Sequence, residues 1–157
     1  MLHNPLNLMK IRKATNKDFD QYLKLRKEDI SEYSNLIKKK ISLVQDLQIK
    51  KEFEGMSKSK EHLILVAEKE GKLLGYLTGS IIKNIWQKSG YVDDIFTSKE
   101  LKRKGIATHL MKSFIKFLKA KNIKKCKLGV NIKNKKAIKL YKKLGFKLSH
   151  YEMDLSI

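Results

Sequence analysis

Two apolar runs, residues 62–68 (HLILVAE) and 73–82, flank a short polar break at Glu70-Gly71-Lys72. Runs of that length with a glycine-bearing break between them are the signature of two strands joined by a tight turn, so residues 62–82 predict an antiparallel hairpin. A third strand, residues 91–97, follows the turn-like Lys88-Ser89-Gly90. The period then changes. Ala107, Leu110, Met111, Phe114 and Leu118 recur at i, i+3, i+4, i+7 and i+11, one face of a helix that starts at Gly105. Three consecutive strands followed by an amphipathic helix require a sheet with helices packed against it.

The flanking segments extend that plan. Residues 8–14 read as a first strand carrying Leu8, Ile11 and Ala14. Thr15 stands at an N-cap position with Asp18 three residues on, a capping box with Asp replacing Glu. Phe19, Tyr22, Leu23 and Arg26 follow at helical spacing. A second polar helix is expected from Glu32 to about Phe53, with Leu36, Ile37, Ile41, Val44 and Leu47 on one face. Downstream, residues 125–130 predict a short strand, and Asn134 caps a helix running to Leu144. Gly145 closes that helix, and Phe146 to Leu155 is expected as a last strand. The expected order is β-α-α-β-β-β-α-β-α-β in one domain spanning residues 1–157, with residues 1–7 as a flexible tail.

Composition narrows the function. At 41% hydrophobic and 33% charged, a chain of 157 residues can build a core and is not disordered by composition. No apolar run has the roughly 18 residues of a membrane helix, so no membrane partner is expected. Cys126 alone makes neither an internal disulfide nor a metal site, and no two of His3, His62, His109 and His150 have ligand spacing. A reducing cytoplasm and no metal are the expectations. The net charge of +20 is uneven: residues 99–147 hold 18 basic residues and one acid, Glu100. That block calls for a polyanion or a phosphorylated cofactor. Only Arg12, Arg26 and Arg103 are arginine, which disfavours a specific nucleic-acid reader.

The segment YVDDIFTSKELKRKGIAT (residues 91–108) locates a phosphate site. It runs from a strand through a basic loop into a helix N-terminus, where unpaired amides and the positive dipole end favour an anion. Gly105 leaves the backbone open to a pyrophosphate, and Lys102, Arg103 and Lys104 add charge. Neither GxxxxGK[ST] nor GxGxxG is present.

Lys102-x-x-Gly105-x-Ala107 resembles the Gln/Arg-x-x-Gly-x-Gly/Ala signature of the GNAT superfamily of N-acetyltransferases. Residues 134–146 (NKKAIKLYKKLGF) resemble its N-x-x-A-I-x-x-Y-x-x-x-G-F stretch. Lys102 replaces Gln/Arg, Ala107 replaces the second glycine, and Arg103 stands where many members have another glycine. The resemblance implies the GNAT fold, an α/β (α+β) arrangement whose mixed, mostly antiparallel sheet has about six or seven strands flanked by about four helices. It implies acetyl-CoA as co-substrate and coenzyme A as product. By analogy, main-chain groups of Ile95 and Thr97, with Phe96 between them, hold the pantetheine arm. Lys102, Arg103, Lys104, Gly105, Ile106, Ala107 and Thr108 wrap the pyrophosphate, and Asn134 and Ala137 also contact the cofactor. The family includes many dimers, so a homodimer is allowed.

Amine attack on a thioester needs a neutral amine, so an ammonium must first lose a proton. Asp93 is favoured as base because YVDDIF resembles the Y-L-E-D-F-F segment of polyamine and diamine acetyltransferases; Asp94 and a water remain alternatives. Regular alternation would put Asp93 with Ile95 and Thr97 on one face and Asp94 with Val92 and Phe96 on the other. Tyr141, by family position, would return a proton to the departing thiolate. Glu28, Asp29 and Glu32, with Asp94, are candidates to attract a cationic acceptor. The expected activity is acetyl transfer to a primary amine, with a small polyamine-like acceptor favoured over a protein N-terminus or lysine. N-terminal acetylating relatives often carry a glutamate where this chain has Gly129. Readings from another class are a polyanion-binding module and a non-catalytic acetyl-CoA sensor.

Overall fold

The structure, a computed structural model, describes residues 9–41, 45–99, 104–155 and 157. Strands β1 (Lys10–Lys13), β2 (His62–Lys69), β3 (Lys72–Lys83), β4 (Lys88–Thr97) and β5 (Cys126–Leu128) form one sheet in the order β1-β2-β3-β4-β5. The first four are antiparallel to their neighbours, and β5 runs parallel to β4. Helices α1 (Phe19–Ile37) and α2 (Asp46–Lys58) cover one face; α3 (Ile106–Ala120) and α4 (Lys135–Lys143) cover the other. The alternation of β2 and β3 feeds both cores, which is why their apolar runs are nearly continuous. Leu63, Leu65 and Leu77 pack with Leu110, Met111 and Phe114 of α3. Ile64, Val66 and Tyr76 pack with Tyr22, Leu25, Ile49 and Phe53.

The expected hairpin, the α3 face and the α4 caps are all present. Asn134 Oδ1 accepts from the Ala137 amide at 3.1 Å. At the other end Gly145 takes φ 93°, and the Phe146 amide reaches back to Tyr141 O at 3.0 Å, a Schellman closure that favours glycine. The Asp18 carboxylate accepts from the Thr15 amide at 2.6 Å and from Thr15 Oγ1 at 3.0 Å. It also takes two bonds of 2.8 Å from Arg12, whose Nε bonds Glu68 at 2.6 Å. One buried carboxylate thus fastens the start of the helical layer to β1 and β2, and the Arg12 guanidinium pulls its pKa down to about 2.

Residues 88–90, expected as a turn, open β4 instead, and two larger differences follow. Glu32 starts no helix; it lies inside α1, which runs unbroken to Ile37 and ends at Lys38 in the left-handed conformation (φ 56°). Ser34 Oγ donates to Lys39 O at 2.6 Å and fixes that end. The apolar spacing of Leu36, Ile37 and Ile41 crosses the break, which coincides with the lysine run 38–40; Val44 lies outside the described residues. The second difference concerns residues 146–155, which form no strand. Leu148, Tyr151, Met153 and Leu155 are largely exposed. Alternation supplies strand propensity but not a partner, and without a ladder or burial the segment stays irregular. The described sheet therefore has five strands, not six or seven.

Candidate active site

The site is built around an irregularity in β4. Its pairing with β3 slips between Thr78 and Gly79, which face Asp94 and Val92 respectively, so Asp93 is an extra residue. Such a bulge sends two consecutive side chains to one face. Regular alternation is thereby corrected: Val92 and Ile95 both join the α3 side, whereas Asp93 and Asp94 both lie on the α1/α2 side. Ser80 Oγ donates to Asp93 at 3.1 Å.

The same slip re-aims the backbone. Before it, the Gly90 amide bonds Lys125 O of the β5 segment at 2.8 Å; after it, the Ser98 amide bonds Leu74 O at 3.0 Å. With a period of two, Phe96 also turns its main-chain groups to β3, whereas Ile95 and Thr97 direct theirs away from it. Parallel pairing with β5 covers only Gly90, Tyr91 and Val92, so beyond Val92 the two strands part. Ile95 and Thr97 thus offer unmatched main-chain groups to the gap. Phe96 does not: its main-chain groups face β3, and its ring is buried against Tyr76, centroids 6.2 Å apart.

At the end of the gap stands the N-terminus of α3. Gly105 precedes it at φ 77°, a conformation open to glycine and strained for other residues. The first bond of the helix runs from the His109 amide to Gly105 O at 3.1 Å, so the amides of Ile106, Ala107 and Thr108 come before it. Lys104 is exposed beside them, while Lys102 and Arg103 lie outside the described residues. These amides, the lysine and the open strand edge suit an extended ligand ending in a pyrophosphate.

Tyr141 enters from α4. Its ring packs edge-on to Phe146 at 6.0 Å and is 9% exposed, and its hydroxyl has no hydrogen-bond partner among the described residues. Burial first, and then the charges of Asp94 and Asp29, push its pKa up to about 12. Those carboxylates belong to the opposite face, so the open edge brings the two faces into electrostatic contact.

Asp94 leads to Arg26 and Tyr76, which the sequence gives no role in the site, and to Asp29, expected only as one of an acidic cluster. Arg26 Nη1 pairs with Asp94, with Asp29 at 3.1 Å and with the Tyr76 hydroxyl at 3.0 Å. The same hydroxyl lies 2.7 Å from Asp29 Oδ2, to which it donates, and 3.3 Å from Asp94 Oδ2. Burial and the nearby Asp94 charge raise the Asp29 pKa to about 7. Burial also raises Asp93, with the Ser80 hydroxyl and His62 opposing. A carboxylate three residues after an arginine in a helix reads as an ordinary surface pair, so only the fold reveals these partners. Of the acceptor candidates, Glu28 is engaged elsewhere, accepting from the Lys99 amide at 3.0 Å, and Glu32 is half-buried on α1. Among the described residues no helix is long and apolar enough to cross a membrane, and no three His, Cys, Asp or Glu side chains are grouped to hold a metal.

Comparison with known proteins agrees with this geometry. An N-alpha-acetyltransferase from Sulfurisphaera tokodaii is 36% identical over 110 residues, 62% of this chain and 66% of that protein. An uncharacterized N-acetyltransferase from Methanocaldococcus jannaschii is 27% identical over 92% of this chain and 63% of that protein. The chain thus spans less than two thirds of the length of either relative. A predicted acetyltransferase from Clostridium acetobutylicum, solved with acetyl-CoA, shares the fold at a TM-score of 0.79 and 21% identity, covering 94% of this chain and 96% of that one. The sequence profile of the acetyltransferase (GNAT) family matches residues 23–146. With the strand edge, the α3 amides and that match in agreement, the chain belongs to the GNAT family of acetyltransferases.

Proposed function

We propose that the protein transfers the acetyl group of acetyl-CoA directly to a primary amine. The observation that carries this reading is that, across the open edge of β4, the buried side chain of Tyr141 feels the charges of Asp94 at the bulge and Asp29 on α1. In this reading the pantetheine arm completes the edge at Ile95 and Thr97, and its pyrophosphate meets Lys104 and the amides of Ile106, Ala107 and Thr108. Asn134 and Ala137 close the far side. A carboxylate on the α1/α2 side takes the ammonium proton. The freed amine attacks the thioester carbon, and Tyr141 protonates the departing thiolate.

The acceptor side is the α1/α2 face, where Asp29, Asp93 and Asp94 crowd together in a chain of net charge +20. That local acidity supports a small cationic amine. A second reading, the α-amine of a polypeptide, is favoured by the 36% identity to an N-alpha-acetyltransferase. Calorimetry with acetyl-CoA, followed by thiol release with a diamine, a polyamine and peptides bearing free N-termini, separates them. One-to-one binding and amine-dependent release are expected; no acetyl-CoA binding would overturn the proposal.

A further inference from the structure

Asp29 and Asp94 come from different elements, α1 and β4, yet share one tyrosine hydroxyl and one guanidinium nitrogen. Such an arrangement differs from a surface ion pair. One arginine cannot neutralise two carboxylates, and side-chain exposures of 20% and 31% deny both full hydration. Like charges this close favour a state in which the pair holds a single proton. Arg26 and Tyr76 fix the two groups, and Tyr141, a buried side chain whose hydroxyl has no hydrogen-bond partner among the described residues, is coupled to them through the open edge.

Resting on the acetyl-transfer reading above, we infer that Asp29 and Asp94 act as one carboxylate pair that takes the proton of the acceptor ammonium, with Arg26 and Tyr76 as its positioning residues. The ammonium gives one proton to the doubly ionised pair, and the neutral nitrogen forms its bond to the acetyl carbon. The carbon–sulphur bond then breaks, the sulphur takes the Tyr141 proton, and the tyrosinate recovers the second proton from nitrogen. The pair releases its proton to solvent. Base and acid are coupled: once the pair holds a proton, one of the negative charges that raise the Tyr141 pKa is gone, so the hydroxyl becomes a better acid when the thiolate needs it.

The groups that interact with Asp29 are Tyr22 and Arg26 of α1, Tyr76 of β3, Asp94 of β4 and Tyr141 of α4. Asp29 supplies a basicity suited to neutral pH, its value being about 7. Asp93 bonds Ser80 and shares neither Arg26 nor Tyr76, feeling Asp94 only through its charge, so the two assignments for the base are separable by substitution.

Carbon-13 carboxyl NMR titration of the intact protein reads the pair directly. Asp29 should titrate near neutrality and shift when Asp94→Asn is introduced. Independent titration of both groups in the ordinary acidic range would overturn the inference regardless of turnover. In kinetics, Asp29→Asn should cut kcat at neutral pH at least tenfold and move the acid limb of kcat/KM down by about one pH unit or more, with acetyl-CoA affinity within twofold. Tyr76→Phe, which keeps the ring but removes the hydrogen bond that holds the Asp29 pKa down, should move the limb up instead. An acid limb unmoved by Asp29→Asn but displaced by Asp93→Asn would return the base to Asp93. Failure to bind acetyl-CoA, seen by calorimetry and independent of the titration, would refute the acetyl-transfer reading and this role with it.

Discussion

Gly75→Ala offers a steric test of how the cofactor edge is held. Gly75 lies opposite Thr97, and a Cβ built there meets Phe96 O at 2.6 Å and Thr97 Cα at 3.2 Å. Ordinary contact begins at 3.4 Å, so β3 and β4 must separate by about 0.8 Å; the obstacle is backbone, which cannot rotate away. The cost of such overpacking is about 1–3 kcal/mol, and a chain of this size loses about 2–4 °C of Tm per kcal/mol. The displaced atoms adjoin Ile95 and Thr97, so one misaligned main-chain bond to acetyl-CoA, worth about 0.5–1.5 kcal/mol, should weaken binding about three- to tenfold. Gly55→Ala is the internal control: it lies within α2, nothing approaches its Cβ within 4 Å, and the change should stabilise by about 0.5–1 kcal/mol without altering affinity. Scanning calorimetry and acetyl-CoA titration of both variants decide the matter. If Gly75→Ala matches Gly55→Ala in both, the close approach does not hold the edge in place.

Tyr141→Phe should lower kcat tenfold or more while leaving Tm and acetyl-CoA affinity nearly unchanged, because the ring contact with Phe146 stays and no hydrogen bond is lost among the described residues; unchanged turnover would remove the acid role. The Arg12–Asp18 pair should contribute on the order of 2 kcal/mol at neutral pH, since the Asp18 pKa is depressed to about 2. That contribution is present above the unfolded carboxylate value and fades as pH falls toward 2, so denaturant titrations of wild type and Asp18→Asn should converge in acid; a constant difference would contradict it. Gly105→Glu places a side chain at φ 77° and a negative charge at the α3 N-terminus, and should abolish acetyl-CoA binding by calorimetry.

How much of this was legible depended on whether a feature was local. The α3 face, the Asn134 cap and the Gly145 closure each rest on residues within one turn of one another, and the sequence pattern contains all of them. The GNAT signature likewise is local, ending at Gly105 and Ala107 where α3 begins. The bulge at Asp93 was hidden, because an extra residue is visible only against the strand beside it; regular alternation consequently split the two aspartates between faces. The roles of Arg26 and Tyr76, and the link of Asp29 to Asp94, escaped for a similar reason. Their chemistry comes from contacts between positions about 20 to 70 residues apart, and each alone is an ordinary helix or strand residue. The final segment failed in the other direction: Tyr151, Met153 and Leu155 alternate as a strand would, but the structure gives them no neighbour.

The slip in β4 also determines where this chain tolerates changes in length. Upstream of Asp93 the strand keeps time with β5; downstream it runs one residue out of phase, and that offset leaves the Ile95 and Thr97 amides turned outward. Excising the single Asp93 codon would bring the two halves back into phase. Every downstream pairing, from Thr78 with Asp94 to Gly75 with Thr97, would survive, whereas deleting any one residue beyond Asp94 would offer the groups after it to the wrong neighbour.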